Sequence, residues 1–246
     1  MSRITCIAIF CAILTVQAKF PNDPKACKYG DGECIVKFIN DLVSKKSATG
    51  DRDINLVQID PLPVAKLQLK QGEDSPVNID LTFTDNKLVG LSTMTYTKVK
   101  GFGKNLAQKH ELLWNIKKIS VLGPYTISGK VLILPISGNG VSNMTMVNAE
   151  AKTTFIGKPI EKNGETYMDV TNFKLYLNPE RIYYHFTNLF NGDKALGDNM
   201  NAFLNDNWEA IFGEVKLSLE SAFGEVYHAI IRNVFTKYPY DKYFID

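Results

Sequence analysis

Val77-Asn78-Ile79-Asp80-Leu81-Thr82-Phe83-Thr84 sets an apolar side chain at every odd position and a polar one at every even position. A period of two is the mark of a half-buried β-strand, whose side chains point alternately to core and solvent. Asp85-Asn86 then reads as a turn and residues 88–99 as the return strand. A second long pair is expected over residues 125–136 and 141–155, joined at Gly138-Asn139-Gly140, because hairpin turns need residues that tolerate positive φ. Asn163-Gly164 reads as another hairpin turn, and beyond it Phe173, Leu175 and Leu177 alternate with Asn172, Lys174 and Tyr176. Val131-Leu132-Ile133-Leu134 is apolar on both faces, as in a strand covered on both sides.

Helical spacing appears on either side of this β region. Ile35, Phe38, Ile39, Leu42 and Val43 form one apolar stripe, with Lys45 and Lys46 at the end where the helix dipole favours cations. From about Lys194, steps of three and four link Leu196, Met200, Phe203, Leu204, Trp208, Ile211 and Phe212. They resume at Leu219, Phe223, Val226, Tyr227, Ile230, Ile231, Val234 and Phe235. So wide an apolar face predicts a mostly enclosed helix, able to bend at Gly213 or Gly224 and stopped by Pro239. Helices near both ends and strands between them give an α+β class.

The N-terminus reads as a secretion signal. Arg3 precedes an apolar run, residues 4–16, shorter than the roughly 20 residues that span a bilayer. Val16-Gln17-Ala18 supplies the small residues of a cleavage site, so residues 1–18 are expected to be removed and a single domain, residues 19–246, to begin at Lys19. Removal takes away Cys6, Cys11 and one positive charge, and the net charge falls from +2 to +1. A balance this close to neutral argues against general nucleic-acid binding. Cys27 and Cys34 remain, and in an oxidising compartment they are expected to pair. Zinc is not expected, since no histidine lies near them and a zinc site needs four ligands. No later stretch is apolar enough to anchor the chain, so the localisation expected is extracellular.

Catalytic signals are sparse. His110-Glu111 lacks the second histidine of a zinc-protease motif, and His185 and His228 stand in no recognisable pattern. No Gly-x-Ser-x-Gly elbow occurs. Gly101-Phe102-Gly103 lacks the third glycine and the βαβ setting of a dinucleotide loop. The expectation is a protein without enzymatic activity or cofactor. Asn143-Met144-Thr145 is an N-glycosylation sequon, although strand parity puts Asn143 on one face with Val141 and Val147. With almost half of its residues hydrophobic, the chain has enough apolar side chains for a large core or for a lined cavity, and periodicity does not separate the two.

Three stretches together resemble the takeout group of the juvenile-hormone-binding-protein family. They are Cys27-x6-Cys34 with its short helix; Pro124-Tyr125-Thr126-Ile127-Ser128-Gly129-Lys130-Val131 running on to Gly138-Asn139-Gly140; and Leu189-Phe190-Asn191-Gly192-Asp193-Lys194 followed by Leu196-Gly197-Asp198 and Asn205-x-Asn207-Trp208-Glu209. Ser75-Pro76-Val77-Asn78 and the tail Pro239-Tyr240-Asp241-Lys242-Tyr243-Phe244 fit as well. The resemblance implies an elongated roll in which a curved antiparallel sheet wraps a long C-terminal helix, as in tubular lipid-binding proteins, around an apolar tunnel. It implies a secreted carrier of a terpenoid hormone or another long lipid, connected with feeding, circadian output or chemosensation. An extracellular signalling protein acting on a receptor without cargo is the alternative. Like the takeout group, this chain lacks the second disulfide of the hormone carriers, so juvenile hormone is not assumed as ligand. Apolar size on the expected inward faces selects Phe38, Leu42, Phe83, Ile133, Phe173, Trp208, Phe212 and Phe223 as ligand-binding wall residues.

Intact-mass analysis of protein secreted from eukaryotic cells tests this reading of the termini and the sequon. The chain should begin at Lys19, and glycosidase treatment should lower the mass. Asn143→Gln should abolish that shift. A retained residue 1 or an unchanged mass after treatment would refute the corresponding expectation.

Overall fold

The computed structural model describes residues 26–70 and 75–246. The stretch read as a signal peptide, with its cleavage point before Lys19, lies outside them. The fold is α+β, and its spine is one long hairpin. Strand β5 (Lys109–Val131) pairs antiparallel with β6 (Leu134–Lys162) from Lys109↔Ile156 to Val131↔Leu134. Each arm carries two further partners at different heights. β3 (Val77–Val89) pairs with the second half of β5 and carries β2 (Leu62–Lys70) on its outer side, while β4 (Met94–Lys100) pairs with the first half. On the other arm, β7 (Glu165–Asn178) and β8 (Arg181–Phe186) pair with successive parts of β6. Register shifts between Phe83 and Lys87, Tyr96 and Lys98, and Thr154 and Ile156 bend the strands, as bulges do.

Three helices lie against this sheet: α1 (Gly32–Lys46), α2 (Lys194–Asp206) and α3 (Trp208–Phe235). Asp31 caps α1 by accepting from the Cys34 backbone N–H at 3.0 Å. Cys27 and Cys34 form a disulfide, with Cα atoms 5.7 Å apart. Cys27 belongs to the two-residue strand β1 (Cys27–Lys28), which pairs in parallel with β9 (Phe244–Ile245) and so ties the start of the domain to its tail. At 1.5 Å per residue, the 28 residues of α3 span roughly 42 Å. Ile211, Phe212, Val215 and Leu219 on it are buried.

The outer edges of the sheet are satisfied by helix side chains. Asn40 of α1 accepts from the Tyr96 N–H (2.7 Å) and donates to its carbonyl (2.9 Å). Asn205 of α2 does the same to Tyr184, at 3.0 and 2.7 Å. Asn201, one turn earlier, does it to Phe186, at 2.8 and 2.9 Å. A carboxamide offers one donor and one acceptor in the geometry of a neighbouring peptide, so each asparagine stands in for a residue of a missing strand. On β7, the Leu177 N–H donates to the buried carboxylate of Glu220 on α3 at 2.8 Å.

Several local expectations are corrected. Gly138-Asn139-Gly140 is not a turn but lies inside β6, opposite Ile127, Thr126 and Tyr125. These glycines accommodate a crossing chain: a Cβ on Gly140 would lie 2.4 Å from the Thr187 carbonyl oxygen, and one on Gly138 would lie 3.0 Å from Leu189 Cα. The hairpin turns instead at Leu132-Ile133, where Leu132 has φ 54°. The apolar run there is a loop tip, and Ile133 is 84% exposed, which removes it from any cavity wall. Asp85-Asn86 is a bulge within β3: Asn86 Nδ2 bridges the carbonyls of Thr84 and Pro124 at 3.1 and 2.7 Å. The C-terminal helical stretch breaks at Asn207, and Gly213 and Gly224 stay within α3. Asn163-Gly164 does turn between β6 and β7, and Asn143 is exposed on β6 together with Val141.

Asn205→Ala leaves the Tyr184 N–H and carbonyl without their partner. It should lower the unfolding free energy by about 1–3 kcal/mol and speed amide exchange at Tyr184. Unchanged denaturant midpoint and exchange would show that α2 does not hold this edge.

Candidate functional site

A cavity of about 220 Å³ lies between α1, α3 and the curved face of the sheet. It exceeds the roughly 150 Å³ at which an apolar engineered cavity stays dry and takes up benzene. One wall is α1, through Ile35, Phe38, Ile39, Leu42 and Val43. The opposite wall is the second half of α3, from Phe223 to Phe235. The sheet contributes Leu88, Met94, Tyr96, Trp114, Ile116 and Met146, with Leu175 and Leu177 from β7. Ile54, Leu56 and Ile59, from the segment between α1 and β2, close one side together with Leu62 at the start of β2. The end near β1 and the C-terminal tail is lined by aromatic rings: Phe102 stacks on Phe235 at 5.8 Å between centroids, and Tyr243 meets Phe235 at 5.1 Å.

Among the described residues, no Asp, Glu, Lys, Arg or His side chain lines the cavity. Its polar atoms come chiefly from tyrosine and tryptophan. Trp114 Nε1–H donates to Thr153 Oγ1 at 3.1 Å, and the Tyr243 hydroxyl donates to the Val234 carbonyl. The hydroxyls of Tyr96 and Tyr227 hydrogen-bond to each other across the gap between β4 and α3. Burial pushes the Tyr96 hydroxyl up to about 12 against a smaller opposing effect of that bond, and holds Tyr227 well above the usual phenol range. Both are neutral donors and acceptors at any physiological pH. Trp114 and Phe173 set Tyr227 in place by edge contacts at 5.8 and 5.7 Å.

Of the eight wall residues read from the sequence, Phe38, Leu42 and Phe223 line this cavity. The other five lie elsewhere. Phe83 is fully buried in β3, and Phe173 stacks behind the wall on Phe155 and His228. Trp208 begins α3 with the Arg181 guanidinium 5.4 Å over its ring, and Phe212 is buried a turn later. Ile133 is the exposed hairpin tip. Tyr96 and Tyr227 were not among the expected wall residues, because tyrosine on a half-buried strand or a wide helix face looks like ordinary amphipathic patterning. The signal available was the alternation Met94, Tyr96 on a strand, which puts Tyr96 on the inner face.

Two of the three histidines, His110 and His228, serve the frame. The Phe102 N–H donates to His110 Nδ1 at 3.1 Å, and Nε2–H donates to the Leu106 carbonyl at 3.0 Å, an arrangement that requires the neutral ring. His110 is sandwiched between Phe102 and Phe155, both part of the cavity lining. His228 bonds the Val170 carbonyl through Nε2 at 2.7 Å. Among the described residues, neither ring is paired with a serine.

With this geometry in view, the comparisons with known proteins agree. The family model for haemolymph juvenile hormone binding protein matches residues 5–245, and the chain belongs to that family. The circadian clock-controlled protein daywake of Drosophila melanogaster is 27% identical over 231 residues, covering 92% of this chain and 88% of its own. The Drosophila yakuba protein of the same name is 25% identical over 230 residues, with the same coverage. The crystal structure of Epiphyas postvittana Takeout 1 superposes with a TM-score of 0.74 at 23% identity, over 87% of this chain and 96% of that one, and so shares the fold.

Burial lowers the His110 pKa from its ordinary 6.5, against a smaller opposing effect of the Leu106 bond. A depressed folded-state pKa means that the unfolded chain takes up the proton first. Stability should therefore be full above about 6.5 and fall as pH drops from there towards the lower folded value. Thermal unfolding against pH should show this loss, and His110→Gln, less stable throughout, should lack the His110 part of it. Equal pH slopes in both proteins would remove His110 from the explanation.

Proposed function

We propose that this chain carries a single hydrophobic molecule in the cavity between α1, α3 and the sheet, and does so outside the cell after loss of residues 1–18. The observation that supports the reading is an almost wholly apolar cavity whose lining, among the described residues, holds no charged side chain. Such a space favours transfer of apolar surface out of water. Among the described residues, no helix is long and apolar enough to cross a membrane. The disulfide and the exposed Asn143 suit a secretory route. The two Drosophila relatives are named for clock control, and we extend that association to this chain as its physiological setting.

The mechanism is solubilisation. Each methylene moved from water into the cavity contributes about 0.8 kcal/mol, set against a roughly 4–15 kcal/mol cost of association. Affinity should therefore climb with chain length until the space is filled, then level off.

Ile230 of α3 lines the cavity, and Ile230→Trp should shorten the space without unfolding the protein. In a ligand-length series, the plateau should move to shorter chains and the longest ligands should lose about tenfold or more in affinity, which is 1.4 kcal/mol. Native mass spectrometry with lipid extraction should recover one lipid per wild-type chain. No lipid bound, together with a variant destabilised by about 1–3 kcal/mol as in an overpacked core, would favour a cargo-free signalling protein.

A further inference from the structure

The cavity contains one polar feature whose hydrogen-bonding capacity is incompletely used. Tyr96 and Tyr227 both line it, and their hydroxyls bond to each other with no further partner among the described residues. Two hydroxyls carry two hydrogens. One lies between the oxygens, and the other has no acceptor. In an apolar enclosure, a donor left without a partner is costly, and buried polar groups in native proteins are otherwise almost always satisfied. The rest of the lining has no such surplus: Trp114 donates to Thr153, and Tyr243 donates to the Val234 carbonyl. The pair is also held firmly. Asn40 fixes the Tyr96 backbone from both sides at 2.7 and 2.9 Å, and aromatic edges fix the Tyr227 ring.

We propose that the Tyr96–Tyr227 hydroxyl pair is the polar anchor of the cavity, and that it selects uncharged lipids bearing a hydrogen-bond-accepting oxygen, such as an ester or ketone, over ionised fatty acids and plain hydrocarbons. This rests on the carrier reading and narrows it. One tyrosine donates to the other, and the second donates to the ligand oxygen. A plain hydrocarbon leaves that donor unmatched. An ionised carboxylate would accept the bond, but it would have to shed its water in a lining without any cation, and burying an unpaired charge is far costlier than one hydrogen bond recovers.

The test is displacement of N-phenyl-1-naphthylamine from the full secreted chain by methyl myristate, myristic acid at mildly alkaline pH, and pentadecane. Wild type should prefer the ester over pentadecane by about twofold to tenfold, the range of one net hydrogen bond, and over the ionised acid by more. Tyr96→Phe and Tyr227→Phe each leave one hydroxyl hydrogen and should keep part of the ester preference. The double variant should lose the ester preference, its ester-to-alkane affinity ratio falling to one or below. A double variant that keeps the wild-type ratio, or a wild type that binds myristate as tightly as the ester, overturns the proposal. Should the double variant fail to fold, the infrared carbonyl stretch of carbonyl-labelled methyl myristate bound to wild type decides. A frequency below that in hydrocarbon solvent supports the bond, and an unshifted one overturns it. Failure of all three compounds to displace the probe would instead remove the carrier reading itself.

Discussion

A sheet that curls around a helix without closing on itself must do something with its outer backbone groups, and in this protein helix side chains take them up. Asn40, Asn201 and Asn205 each bind both the N–H and the C=O of an edge residue, and Glu220 accepts the N–H of Leu177. Unpaired edges invite further strands, so blocking them keeps the chain from extending its sheet through another molecule. The same contacts fix where α1, α2 and α3 sit. The cavity is the space left between α1, α3 and the strands once those helices are docked at hydrogen-bonding distance, so its shape follows from how the sheet edges are satisfied.

Much of this architecture was legible because it follows from periodicity. The alternation over residues 77–84, the Asn163-Gly164 turn and the wide apolar face of the C-terminal helices all describe local physics, and each lies where the pattern put it. What failed was local chemistry with two meanings. Glycine serves where φ must be positive and also where another chain passes too close for a Cβ. Gly138 and Gly140 are of the second kind, and the chain they admit, around Thr187 and Leu189, lies some fifty residues further on. Leu132-Ile133 failed in the opposite sense, since an apolar pair forms a tight turn where polar residues are usual, with Leu132 packed on the core and Ile133 exposed. The edge asparagines were invisible for a related reason: a mid-helix asparagine reads as surface until the strand beside it is known.

The cavity lining divides in the same way. Phe38, Leu42 and Phe223 were recoverable because they sit on apolar helical stripes, and one face of a stripe must look inward. Phe83, Phe173, Trp208 and Phe212 sit on similar patterns yet pack into the solid parts of the molecule. Nothing in a hydrophobic period distinguishes a side chain that meets a neighbour from one that meets a gap. That distinction depends on how far apart two docked elements stand. Tyr96 and Tyr227, 131 residues apart in sequence, become a pair only through the docking of α3 across β4.

The magnitudes assign different tasks to shape and to polarity in such a site. A net hydrogen bond contributes about 0.5–1.5 kcal/mol, the equivalent of one or two methylenes at about 0.8 kcal/mol each. A chain long enough to fill the cavity therefore draws most of its affinity from buried apolar surface, and the length of the space governs how tightly it is held. The tyrosine pair acts on another property. It offers one direction-dependent contact at one point of an otherwise featureless wall, so it sets which end of a ligand lies where. It also discriminates among molecules of equal length that the wall alone would treat alike. Because neither hydroxyl titrates near neutrality, and no charged group lines the space, that discrimination should hold across the pH range in which the frame around His110 stays folded.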